Sequence, residues 1–224
     1  MKVGLQAAVS SVVGLAVFVI LVFGPAGTFD YWHGWAFIAV FSAFSLLPSI
    51  YLALHDPAAL RRRMQAGPTA ETRPVQKFAS AMAFLLLAVM VVTSALDYRF
   101  GWSAVPAVVS VLGNVLVASG LGIAMLVVIQ NSYAAANVKV EAGQAVVSTG
   151  LYGLVRHPMY IGNVIMMVGI PPALGSYWAL LLIVPGVALL AVRIIDEEKM
   201  LRAELDGYDE YTSKVRYRLL PYFW

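Results

Sequence analysis

The chain contains no cysteine. That excludes disulfide stapling and thiolate-held metal, and it accords with a site facing the cytoplasm. Charge is scarce as well: 12% of the 224 residues are Asp, Glu, Lys or Arg against 61% hydrophobic, and mean hydropathy is +0.81. A soluble fold of this composition would have too few polar groups to cover itself. The few charges are also withheld from long windows, since 3–29, 31–54, 78–96, 100–138 and 157–192 hold none. No internal repeat or low-complexity linker is present. The three histidines show no pair at ligand spacing, so no metal site is expected. The apolar tracts run continuously, which excludes the two-residue alternation of a membrane β-barrel.

What remains is helix. About 20 apolar residues, rising about 1.5 Å each, cross roughly 30 Å of hydrocarbon. Spans are predicted over 4–24, 33–54, 78–96 and 105–129. The run over 160–195 is too long for one span and slightly short for two, and Pro171, Pro172 and Gly175 near its middle point to a helical hairpin with short or tilted arms. The expected fold is thus an all-α integral membrane protein of five to six transmembrane segments, the last two a hairpin, in one domain over 1–224. The first segment reads as a retained helix, because Gly24-Pro25-Ala26-Gly27 is a poor signal-cleavage motif.

Orientation follows from Lys and Arg in the short loops. With both termini in the cytoplasm, fourteen of the fifteen basic residues fall inside and only Arg99 outside. The predicted location is the cytoplasmic membrane, with an outer aromatic belt of Tyr31, Trp32, Trp35 and Trp102. The net charge of +3 suits anionic headgroups better than nucleic acid, as Arg61 to Arg63 carry no aromatic interleaving. Membrane lipids are therefore the expected neighbours, and no obligate protein partner is implied.

Polar chemistry is concentrated in 130–160 and 193–224. Alternating residues flank Gly143 over 138–149, a pattern that predicts a small hairpin or a paired extended segment, the alternative being a connecting loop. In Arg156-His157-Pro158-Met159-Tyr160-Ile161-Gly162, Pro158 suits the first position of a helix. The exposed N–H groups beyond it, with Arg156 and His157, form an expected site for an anion such as a carboxylate, the alternative being an interfacial helix start. Asp196, Glu197 and Glu198 follow one another near a helix end, where they oppose its dipole and repel one another. A ligand ammonium or a neighbouring arginine would relieve them; pairing with Lys199 and Arg202 one turn on is the alternative.

Gly150-Leu151-Tyr152, the Arg156 to Gly162 stretch, Glu197-Glu198, Tyr208 with Tyr211, and Tyr217-Arg218-Leu219-Leu220-Pro221 together resemble the C-terminal signature of the isoprenylcysteine carboxyl methyltransferase family, which is grouped with phospholipid N-methyltransferases. The resemblance covers about residues 130–224. It implies a multi-pass enzyme using S-adenosylmethionine without a Rossmann domain, with N-terminal helices over 1–103 and a methyltransferase core over 104–224. Gly120 and Gly122 are similar to the Gly-x-Gly that the phospholipid enzymes pair with a downstream Glu-Glu, the alternative being close helix packing. By resemblance the cofactor residues are Gly120, Gly122, His157, Tyr160, Gly162, Glu197 and Glu198, with the acids on its ammonium. Arg156 and Arg218 are the expected catalytic pair, holding the cofactor or the acceptor carboxylate. The implied acceptor is lipid-like or prenylated and is received at the cytoplasmic face. An amine-headgroup phospholipid is the alternative within methyl transfer, and membrane sterol reductases using NADPH are the alternative in another reaction class. A non-enzymatic membrane protein such as a transporter is disfavoured, because charges within the spans are missing.

Overall fold

Prolines set where several helices begin, since the first helical residue has no use for its N–H. The computed structural model describes residues 2–134, 136–141 and 143–224. Helices α1 (Lys2–Ala26) and α2 (Trp32–His55) are followed by α3 (Pro57–Met64), α4 (Pro74–Phe100) and α5 (Ala107–Gln130). Then come α6 (Pro158–Ala173), α7 (Ile183–Glu204) and the short α8 (Tyr208–Lys214), with 3-10 turns at Gly150–Gly153 and Trp178–Leu182. Pro57, Pro74 and Pro158 each open a helix, and the Asp56 carboxylate caps α3 by accepting from Ala59 N at 2.9 Å. The protein is an all-α integral membrane protein, and the described residues contain no strand.

Five helical stretches are long and apolar enough to cross a membrane: Gly4–Ala26, Trp32–His55, Pro74–Phe100, Ala107–Gln130 and Trp178–Glu204. They carry large exposed apolar side chains such as Leu5, Val12, Leu47, Phe84, Val108 and Val184, which is where acyl chains would lie. The sixth expected segment is the 16-residue α6. At about 1.5 Å per residue it measures roughly 24 Å, short of the hydrocarbon thickness. As Pro171, Pro172 and Gly175 foretell, α6 ends at Ala173 and Gly175 turns the chain with φ 72°.

The closest helix contact is between α5 and α6, which run antiparallel through two glycine pairs. A Cβ on Gly113 would stand 2.4 Å from Ala173 N, and one on Gly169 would stand 2.6 Å from Gly113 O. One on Gly120 would stand 2.4 Å from Gly162 O. Both pairs are seven residues apart, two helical turns, so they lie on one face and let the backbones touch.

Two expectations fail. The described residues of 138–149 take the alternative, a turn-containing loop with no strand, because side chains take the hydrogen bonds a partner strand would need. Val138 N donates to Glu71 Oε2 at 2.9 Å and Glu141 N to Gln144 Oε1 at 3.1 Å. Tyr31 does not join the aromatic belt; it is fully buried, donating to Leu174 O at 2.5 Å, while Trp32, Trp35 and Trp102 stay exposed.

Candidate functional site

Successive residues of an α-helix point about 100° apart, so three consecutive acids cannot share one environment. Near the end of α7, Asp196, Glu197 and Glu198 accordingly face three different segments. Asp196 receives a bidentate pair from Arg73, Nε to Oδ2 at 2.9 Å and Nη2 to Oδ1 at 2.7 Å, and a third bond from Gln76 Nε2 at 2.9 Å. Glu198 gathers three groups. Arg218 donates from Nε at 3.0 Å to Oε2, and His157 Nε2 lies 3.2 Å from Oε1. Arg156 Nε is 3.1 Å from Oε1, close enough for an ion pair but not aligned as a hydrogen bond. Pairing one turn on to Lys199 and Arg202 does not occur; Arg202 bonds Asp209 instead.

The strip that holds Arg218 is docked by backbone. Arg156 N donates to Tyr217 O at 2.9 Å and His157 N to Arg218 O at 3.0 Å, which lays the chain after α8 along the start of α6. Tyr211 ties the same region down, its hydroxyl donating to Tyr152 O at 2.7 Å. Arg156, His157 and Glu198 are buried, and the one carboxylate faces two guanidiniums, those of Arg156 and Arg218.

Glu197 is different. Its contact is with Tyr160, whose hydroxyl donates to Oε2 at 2.6 Å and accepts from Arg193 Nε at 3.0 Å. Arg193 reaches on to Glu71 Oε1 at 2.7 Å and Ala136 O at 3.1 Å. Glu197 and Tyr160 line a cavity of about 350 Å³ bounded also by Arg63, Phe84, Tyr133, Asn137, Tyr152, Arg156, His157, Asn163, Tyr208 and Tyr211. That size falls within the range of about 300–1,000 Å³ usual for small-molecule sites. Among the described residues, three lining groups have buried polar atoms without a hydrogen-bond partner: Tyr208 Oη, Asn137 Oδ1 and Arg156 Nε, the last in an ion pair with Glu198. Such orphans cost free energy unless a ligand or water meets them. Burial pushes the Tyr152 phenol up to about 12 and raises those of Tyr208 and Tyr211, so all three remain neutral donors near pH 7.

Of the residues expected from sequence, Arg156, His157, Tyr160 and Glu197 reach the cavity wall together. Glu198 and Arg218 stand behind it as a neutralised pair. Gly120 and Gly162 lie in the α5–α6 crossing, and Gly122 has open space beside it; none of the three lines the cavity. The sequence reading missed Arg63, Glu71, Arg73 and Gln76, which α3, the loop after it and the first turn of α4 bring against α7 and the cavity. One signal was available there: an isolated acid, Glu71, among Arg61, Arg62, Arg63, Arg73 and Lys77.

Comparison with known proteins points to the same half of the chain. Residues 108–205 match the family model described as phospholipid methyltransferase, a stretch from α5 to the end of α7. The chain is also 32% identical over 83 residues to a delta(14)-sterol reductase of Mus musculus, covering 36% of this chain and 20% of that relative. The chain therefore matches about one fifth of the reductase's length.

Proposed function

We propose that this protein transfers a methyl group from S-adenosylmethionine to a lipophilic acceptor at the cytoplasmic face of the membrane, with a carboxylate as the preferred acceptor group. The observation that carries the reading is the open carboxylate of Glu197 in a cavity built largely from the segment similar to phospholipid methyltransferases. The residues present fit such a cofactor. Glu197 would take its ammonium, while Tyr208 Oη and Asn137 Oδ1 offer unfilled bonds to its polar edges. Tyr133 and Tyr152 supply aromatic wall, and the start of α6 behind His157 would take its carboxylate.

When bound, the cofactor supplies a sulfonium methyl that the acceptor oxygen takes in line, the carbon–sulfur bond breaking with its electron pair left on sulfur and no proton moved. A carboxylate is ionised near neutral pH, so no residue need act as its base. The work of the protein is to hold two reactants together and exclude water. Arg193 fixes Tyr160, Tyr160 fixes Glu197, and Glu71 fixes Arg193, so the carboxylate facing the cavity is held by a chain of bonds from two helices and a loop. The Glu198 group keeps Arg156 and His157 in place at the wall.

The reading is tested by calorimetry with S-adenosylmethionine and its demethylated product on the purified protein. Saturable binding of the product with thermal stabilisation is expected. The similarity to the sterol reductase favours a second reading, an NADPH-dependent reductase. Saturable NADPH binding by folded protein that ignores S-adenosylmethionine would establish that reading instead. An amine-headgroup acceptor differs from a carboxylate in one observable, since a protonated amine must give up a proton before its nitrogen can attack, so each methyl transfer releases one proton.

A further inference from the structure

An arginine withdrawn from water normally sits against a carboxylate, because desolvating an uncompensated guanidinium is costly. At the basic end of this protein the rule holds for Arg62 with Glu141, Arg73 with Asp196, Arg156 and Arg218 with Glu198, and Arg193 with Glu71. Arg61 and Arg216 are exposed and need no partner. Arg63 breaks the rule. It is partly buried on α3 and lines the cavity, yet among the described residues it has no ion pair. Its side-chain bond is a weak one, Nη1 to the thioether of Met159 at 3.8 Å. Burial lowers its pKa and no acid offsets that cost.

The surroundings say what would meet it. On one side lies the cavity, with the polar groups of Glu197 and Tyr160 in its wall. On the other lies an apolar cluster in which Leu60, Met64, Met125 and Met159 pack near Leu52 and Val128. Methionine side chains adapt readily to flexible apolar ligands. The guanidinium thus stands where the polar groups of the cavity wall meet a deformable apolar cluster, Met159 belonging to both, which is the division an amphiphile needs between head and tail.

We propose that Arg63 binds the anionic group of the amphiphilic acceptor, a carboxylate or a phosphate, and positions it at the cavity mouth. This deepens the methyl-transfer reading and rests on it for the word acceptor; the binding itself does not. Arg156 and Arg218, both engaged with Glu198, leave this role to Arg63.

The test uses the full chain in a neutral maltoside detergent, with tetradecanoate, tetradecyl phosphate and tetradecanol titrated at equal mole fractions in the micelle. Binding of one or both anions at least about tenfold tighter than the alcohol is expected, the span of one charge-assisted contact. Arg63→Gln should reduce that preference to within about twofold, and Arg63→Lys should keep part of it. Affinity for the demethylated cofactor product should stay within about threefold of wild type in both variants. Tighter binding of the carboxylate identifies a carboxyl acceptor, and tighter binding of the phosphate a phospholipid. Equal affinity of all three probes in wild type, or an anion preference that survives Arg63→Gln, overturns the proposal. So does a tenfold loss of product affinity with the anion preference intact, which would assign Arg63 to the cofactor. Failure of wild type to bind the product at all overturns methyl transfer alone.

Discussion

The two ends of the helix bundle bury acids in opposite ways. At the end where Arg99 is the one arginine, Asp97 is fully buried and receives two hydroxyls, Ser103 at 2.7 Å and Ser176 at 2.5 Å, with no ion pair among the described residues and with Oδ1 unpartnered. Around it the chain reverses tightly: Trp102 N donates to Asp97 O and Gly101 N to Tyr98 O, Gly101 having φ 65°. At the other end Glu71, Asp196 and Glu198 are each matched by arginine, and a cavity opens beside them. Asp97 joins loops that merely close the bundle, whereas the arginine-paired acids join segments distant in the chain around a space. Burying an acid is thus common to both ends, and the paired cations and the cavity distinguish the end proposed here as the functional one.

The sharpest way to break the contrast is Glu198→Gln, which leaves Arg156 and His157 buried without their counter-charge. Stability should fall by about 3–5 kcal/mol, measured by equilibrium unfolding in detergent. Glu197→Gln should be a different kind of lesion, because that carboxylate faces the cavity. Affinity for the demethylated cofactor product should drop by roughly 10-fold to 150-fold, about 1.5–3 kcal/mol, with the melting temperature little changed. Equal affinity in the variant would remove Glu197 from the site. Midway between the ends, Gly120→Ala forces a methyl group against Gly162 O. A cost of about 1–3 kcal/mol is expected, visible in thermal unfolding with product affinity retained. Were affinity lost before stability, Gly120 would belong to the cofactor after all. The mildest change should be Asp97→Asn, since the side-chain amide still offers an oxygen to Ser103 and Ser176. Less than about 1 kcal/mol is expected, and a larger loss would show that the negative charge itself matters at that end.

The sequence revealed the helices because hydropathy is a local property: each span shows in a charge-free window, and Pro158 and Gly175 mark the ends of α6. The grouping of Arg156, His157 and Glu198 was legible in part, through a resemblance confined to the C-terminal half. What stayed hidden was the pairing of Arg73 and Gln76 with Asp196 and of Glu71 with Arg193. These bonds join residues more than a hundred positions apart, and no periodicity in one strand of text records which loop meets which helix. The hairpin expected over 138–149 failed for a related reason. Its alternation was real, but Glu71, from a distant segment, satisfies the backbone at Val138 in place of a neighbouring strand.

The three acids of α7 carry a consequence for how this chain can change over time. Because Asp196, Glu197 and Glu198 answer to three separate segments, their directions are a matter of reading frame along the helix. Deleting one residue between Ile183 and Ile195 would turn the whole triplet by about 100°, offering each carboxylate to a neighbour's partner. Arg73, Tyr160 and Arg218 would all be mismatched by a single event, although no functional side chain had been replaced. The stretch before the acids can therefore drift in which apolar residue occupies its exposed positions, such as Val184, Val187 and Val192, but hardly at all in how many positions there are.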